Sequence, residues 1–135
     1  MIRRFLLLCL AWGISPRGSM ALDPFEPHEV KIDKLPGSWN TRRGNRQLTV
    51  TFEATGQYRG AILNNGKVEE TFEGDWTIKT PYIGNIELVW KFTKSTSIPA
   101  GTVDRDEIVM LNDDVLVLWT KNRERRAYQR VKPKK

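Results

Sequence analysis

The stretch that decides the fold runs from 46 to 72 and reads RQLTVTFEATGQYRGAILNNGKVEETF. Its first part alternates, so that Leu48, Val50 and Phe52 share one face of a strand and polar residues share the other. Further on, Asn65-Gly66 supplies the positive φ angles that a tight two-residue hairpin needs. The stretch therefore predicts consecutive antiparallel strands joined by short turns.

The same sequence pattern continues on both sides of this stretch. Short segments rich in Thr, Val, Ile and aromatic residues recur between Gly, Asn and Asp, which indicates an all-β chain. Parallel strands need crossovers of about a dozen residues or more, which are not evident, so the order must be mainly antiparallel and up-and-down. We expect about eight strands, a number that can close into a barrel with a packed interior or one small ligand. The predicted strands cover 37–41, 46–54, 58–63, 68–72, 76–79, 85–93, 106–111, 115–120 and 126–131.

The beginning of the chain has the order of a secretory signal. Two arginines precede an apolar run, FLLLCLAWGI, and Ser19-Met20-Ala21 then places small residues where a signal peptidase cuts. The run is too short for a membrane span, which needs about 20 apolar residues. We therefore expect a signal peptide at 1–21 and a periplasmic or secreted protein. An extended N-terminal arm at 22–35, a barrel at 36–131 and a basic tail at 132–135 complete the predicted organisation.

The net charge of +6 is distributed unevenly along the 135 residues. The predicted signal carries +3, residues 22–120 carry −4, and residues 121–135 carry +7. Basic stretches are attracted to anionic lipid head groups. The candidates for contact with an anionic membrane surface are Arg123, Arg125, Lys132, Lys134 and Lys135. Nucleic acid is not an expected partner, because no strip of interleaved basic and aromatic residues occurs.

The sequence offers little that is typical of catalysis. His28 is the single histidine and Cys9 the single cysteine, and no nucleophile, phosphate-binding or metal-binding motif occurs. We therefore expect no enzyme, no metal site and no cofactor. Asp104, Asp106 and Glu107 lie close together but lack the glycine of a calcium loop. We interpret these three as a solvated strand edge.

Aromatic side chains of the predicted strands are expected to point into the barrel. One interpretation is a filled aromatic core. The other is a pocket in the barrel mouth for a small apolar or lipid-like ligand, since such pockets are lined mainly by apolar and aromatic side chains. The candidate pocket residues are Tyr58, Phe72, Trp76, Trp90 and Trp119.

The segment 106–120 departs from alternation because it is apolar on both faces, in IVML at 108–111 and VLVLW at 115–119. We expect Val115, Val117 and Trp119 to face inward, and the outer side must then be covered as well. The cover is either the arm, through Phe25, Val30 and Ile32, or a second subunit or other protein. The candidate interaction face consists of Val109, Leu111, Leu116 and Leu118.

Four motifs, in order and spacing, resemble those of lipocalins and of small lipocalin-like (calycin-type) bacterial barrels. They are LPGSW at 35–39, LTVTFEATGQY at 48–58, GDWTI at 74–78 and YQRV at 128–131. In lipocalins the first Trp closes one end of the barrel, and an arginine of the last strand stacks across it. The resemblance thus implies a structural pair of Trp39 and Arg130, worth about 1–2 kcal/mol when desolvated. The chain is shorter than full lipocalins and has no evident C-terminal helix.

Three functions follow as alternatives. The first is an exported, non-catalytic barrel that binds a small apolar or lipid-like ligand in the cell envelope. The second is an envelope protein-interaction or inhibitor barrel with a filled core, which binds a homodimer partner or another protein through the 106–120 hairpin. The third is a purely structural envelope protein. A hollow interior would favour the first, and a filled interior with an exposed apolar hairpin would favour the second.

Overall fold

The computed structural model describes residues 29–80 and 85–132. The predicted signal at 1–21 lies outside the described residues. So do Phe25 and the rest of the arm before residue 29, and so do Lys134 and Lys135.

In residues 29–80 and 85–132, eight strands form a closed barrel in which each strand pairs antiparallel with the next and the last pairs with the first. The all-β, up-and-down architecture predicted from the sequence is therefore confirmed. Closure pairs the backbone groups that an open sheet would leave at its edges. The strands are β1 (Gly37–Arg43), β2 (Arg46–Phe52), β3 (Gln57–Asn64), β4 (Lys67–Lys79), β5 (Glu87–Ser95), β6 (Val103–Leu111), β7 (Val115–Trp119) and β8 (Arg125–Arg130).

Strand β4 passes without interruption through the bend that the sequence predicted at Gly74 and Asp75. A bulge between Glu73 and Gly74 shifts its register against β5. A Cβ atom at Gly74 would lie 1.8 Å from the carbonyl oxygen of Lys91, so glycine allows the two backbones to approach. The prediction of two separate strands is wrong, because a Gly-Asp pair marks a bulge as readily as a strand end.

The arm is extended only in part. Val30 forms a parallel bridge with Leu111, and the Lys31 amide donates to the Leu111 carbonyl oxygen at 2.8 Å. A 3₁₀ turn follows at Ile32–Lys34. Val30 is half-buried and packs against the core, whereas Ile32 is 42% exposed, so cover of the outer side of the hairpin by the arm stays a prediction. The prediction of an extended arm is therefore wrong at 32–34, where the chain turns to enter the barrel.

One end of the barrel, called the closed end below, is sealed by Leu35 and Trp39, both fully buried. The Trp39 indole Nε1 donates to the Leu35 carbonyl oxygen at 2.9 Å. The Arg130 guanidinium carbon lies 4.2 Å from the centre of the Trp39 ring. The contact that the resemblance implied is present, and it joins β8 to β1 at the seam of the barrel.

The guanidinium of Arg130 also caps the chain that enters the barrel. It donates to the backbone oxygens of Lys34, Pro36 and Asp113. A Cβ atom at Gly37 would lie 2.3 Å from Arg130 Nη1, and Gly37 has a φ of +134°. The glycine of the Gly-x-Trp motif is therefore required both for space and for its backbone conformation.

Candidate functional site

Aromatic rings fill the interior of the barrel. Their centroids lie 5.1 to 6.3 Å apart in a continuous set of contacts among Phe52, Tyr58, Phe72, Trp76, Trp90 and Phe92. The interior cavity beside Ile98 has a volume of about 30 Å³, whereas ligand pockets have about 300–1,000 Å³. Of the predicted pocket residues, Tyr58 and Trp90 are buried in this core, and Phe72 and Trp76 are half-buried against it.

The end opposite the closed end, called the mouth below, is covered by the loop at 96–102. Ile98 on this loop is 6% exposed and lines the small cavity. The loop is attached to β4 by a hydrogen bond from the Thr96 amide to the Thr71 carbonyl oxygen at 3.1 Å. Ser97 Oγ adds a second contact with the Glu70 carboxylate. The mouth is thus closed by a tethered apolar side chain.

Two acidic side chains lie inside the sheet near the mouth rather than at a solvated edge. Asp104 is 6% and Asp106 5% exposed, so the sequence interpretation of these two residues is wrong. Asp106 Oδ2 accepts a hydrogen bond from Trp90 Nε1 at 3.0 Å, and Asp104 Oδ1 lies 3.4 Å from Lys121 Nζ. The signal was present in the sequence, because both aspartates alternate in phase with buried Ile108.

Burial raises the pKa of Asp106 to about 7, because the anion loses its water. The charge of Arg126 opposes this shift, the charge of Asp104 adds to it, and Trp90 and Lys121 oppose it further. Burial likewise raises the pKa of the Tyr58 hydroxyl, with additions from Asp75 and Asp104. The Tyr58 hydroxyl is therefore neutral near neutral pH, whereas the Asp106 carboxyl is neutral only below about pH 7.

The two apolar faces of β7 are the reverse of those expected. Leu116 and Leu118 are fully buried in the interior, opposite Tyr128 and Arg126 on β8. A bulge between Ile108 and Met110 also returns Leu111 to the interior. The predicted interaction face is therefore wrong for Leu111, Leu116 and Leu118, and Val109 is half-buried.

Trp119, predicted to line an interior pocket, lies on the outside of the barrel and is 37% exposed. This outward position follows from the alternation of side chains along β7, because Leu118 points inward and the next residue must point outward. Val117, on the same outer face, is nevertheless 3% exposed. The outer surface of β7 is thus apolar at Val117 and aromatic at Trp119.

A groove of about 750 Å³, called the Trp119 groove below, runs over the outer face of β5, β6 and β7. The turn that follows β7 forms its end at the mouth. Its lining combines an exposed aromatic ring with charged and amide side chains. The lining residues are Asn85, Glu87, Val103, Asp104, Arg105, Glu107, Trp119, Thr120, Lys121 and Arg123.

Strand register places four outward residues of neighbouring strands in one row across this face. Glu87 pairs with Glu107, Glu107 with Trp119, and Trp119 with Arg125. Directly opposed residues of an antiparallel pair have Cβ atoms about 4.5–5.5 Å apart. The row therefore reads acid, acid, tryptophan, base across β5 to β8, and Lys79 of β4 lies opposite Glu87 at its acidic end.

Charged side chains of both signs surround the Trp119 groove. On its β5–β6 side, Glu87 and Glu107 oppose each other, and neither forms an ion pair within 29–80 and 85–132. On its other side lie Arg123 in the lining and Arg125 opposite Trp119. Like charges directly opposed across strands destabilise a sheet, and Lys79 opposite Glu87 on β4 offsets part of this cost.

The predicted membrane-contact residues do not form one patch in the described part of the chain. Arg123 and Arg125 flank Trp119, whereas Lys132 pairs with Asp114 at 3.3 Å near the closed end. Contact of the C-terminal stretch with an anionic membrane stays a prediction.

Within the described ranges, no three His, Cys, Asp or Glu side chains are grouped so that they could hold a metal ion. Those same ranges contain no helix of the length and apolar character needed to cross a membrane. Comparison of the chain with protein-family models, curated proteins and solved structures finds no match to any of them.

Proposed function

We propose that this chain is a non-catalytic barrel of the lipocalin type, exported to the periplasm or secreted, that binds a partner protein through the Trp119 groove. The observation that carries the proposal is an exposed tryptophan in a groove on the outside of a barrel whose interior is full. The partner proposed for the 106–120 hairpin is retained, but the binding residues move to Trp119 and Glu107.

The composition of the groove supports a protein partner. Tryptophan and arginine are over-represented among the residues that dominate protein–protein binding energy, especially where a rim of other residues excludes water. Trp119 lies between Glu107 and Arg125 in the row, and Val103, which is 46% exposed, lines the same groove among charged side chains. An aromatic anchor with a charged rim is the usual anatomy of a protein interface.

The interior supports a small-molecule function less well. Its cavity of about 30 Å³ lies far below the roughly 300–1,000 Å³ that is usual for ligand pockets. The rings that would line a pocket are already in contact with one another. The proposal therefore assigns binding to the outer surface.

The test is photo-crosslinking in the cells that make the protein. A benzophenone-bearing residue at position 103, in the groove, should yield one discrete adduct. The control carries the same residue at position 68, an exposed valine in the β3–β4 hairpin, and should not yield that adduct. Trp119→Ser should abolish the adduct from position 103.

The adduct's mass identifies the occupant. An adduct with another protein supports the proposal, and an adduct of twice the chain's own mass replaces that partner by a second copy. The proposal is wrong if position 103 gives no adduct or if the adduct persists in Trp119→Ser.

A further inference from the structure

The opposed glutamates of the Trp119 groove suggest what the partner presents. Glu87 and Glu107 face each other on neighbouring strands and have no ion-pair partner in the described chain. Glu107 is in turn directly opposite Trp119. Two carboxylates and an exposed indole are thus adjacent on one surface.

We propose that the Trp119 groove receives an arginine side chain of the partner protein, whose guanidinium pairs with Glu107 and Glu87 while its face stacks on Trp119. This inference rests on the proposed function and names the chemistry of the partner.

Arginine fits this surface better than other side chains. Its planar guanidinium donates in a fork that matches a carboxylate, and it stacks on aromatic rings. Tryptophan is also the best aromatic partner of a cation. An incoming cation would relieve the repulsion between Glu87 and Glu107. The bound state therefore gains an ion pair that the free barrel lacks.

The basic residues nearby restrict how the partner approaches. Arg105 lies two positions before Glu107 on the same face, and Lys121 and Arg123 line the groove towards the mouth. Lys121 is engaged by Asp104. A partner arginine is therefore expected to enter over β5 and β6, and an acidic residue beside it would meet Arg123.

The first experiment uses three peptides, acetyl-Ala-Arg-Ala-amide and its lysine and citrulline counterparts, with NMR detection of the Trp119 indole and the glutamate side chains. We expect millimolar binding in the order Arg, Lys, citrulline, with shifts at Trp119, Glu87 and Glu107. Citrulline is the decisive control, because it keeps the shape of arginine and removes its charge. Equal shifts with citrulline, or none at these residues, would overturn the inference.

The second experiment uses Glu87→Gln/Glu107→Gln, with Glu73→Gln, an exposed glutamate on β4, as the matched control. The double variant should weaken binding of the arginine peptide about tenfold. The control variant should bind this peptide as tightly as the unchanged protein does. The single variant Glu107→Gln should also raise the melting temperature of the free barrel, because it removes the repulsion and leaves Glu87 opposite Lys79. A lowered melting temperature would mean that the glutamates stabilise the barrel and would contradict the inference.

The same double variant separates this inference from the proposed function. If the adduct from position 103 persists in Glu87→Gln/Glu107→Gln but not in Trp119→Ser, the groove binds a protein without recognising an arginine side chain. If no adduct forms in any variant, the proposed function itself is wrong.

Discussion

The carboxyl group of Asp106 is buried inside the barrel, where its charged form is costly. Its pKa rises from 3.8 to about 7 on folding because of burial. Between these pH values the folded chain holds a proton that the unfolded chain has lost. The stabilisation from this proton is complete below the pKa that Asp106 has in the unfolded chain, and it is lost as the pH rises towards 7.

This residue predicts a pH dependence of stability. The free energy of unfolding should fall as the pH rises from 4 to 7, by at most about 1.4 kcal/mol per pH unit for one proton, and level off above. In Asp106→Asn the dependence should be weaker, because an amide does not titrate and its oxygen can still accept from Trp90. Urea unfolding at several pH values measures both curves. Parallel curves would show that Asp106 does not titrate in this range.

Single residues also show how far the sequence could be read. The pairing of Trp39 with Arg130 was predictable from motifs at opposite ends of the chain. The burial of Asp104 and Asp106 was harder to predict, because aspartate is usually exposed to solvent. Their interior position depends on the phase of β6, which only their alternation with Ile108 indicates.

At the scale of the element, β4 depends on Gly74 for its bulge. Gly74→Ala would place Cβ 1.8 Å from the Lys91 oxygen, so β4 and β5 must separate. We expect the free energy of unfolding to fall by about 3 kcal/mol, which is at the upper end of the usual cost of overpacking. Denaturant unfolding provides the measurement.

The control for this substitution is Gly44→Ala. Gly44 has a φ of +62° and no atom within 4 Å of a Cβ position, so its cost is conformational, about 1 kcal/mol. Equal losses in the two variants would show that close approach at Gly74 contributes nothing beyond the general cost of replacing glycine.

Strand β7 shows why strands were easier to predict than their faces. Its sequence, Val-Leu-Val-Leu-Trp, is apolar at every position, so alternation cannot indicate which side chains point inward. The structure places Leu116 and Leu118 inside, and the phase is set by pairing with β8. This reversal moves Trp119 to the surface, and the candidate site moves with it.

For the whole molecule, the filled interior predicts that the protein retains no small ligand. Native mass spectrometry of the protein purified from its own source should give the mass of the polypeptide alone. The reason is volume, because about 30 Å³ cannot hold an apolar molecule of ordinary size. A retained lipid or other small molecule would show that the barrel opens, and binding would return to its interior.

The seam between β1 and β8 has a consequence for how the chain folds. Arg130 contacts the backbone of Pro36, 94 residues earlier, so the barrel cannot close until nearly the whole chain is available. Contacts of such long sequence separation are typical of slow folding. Until β8 arrives, the sheet has two unpaired edges on which chains can associate. The interval before closure is therefore the period in which this protein most needs protection from aggregation.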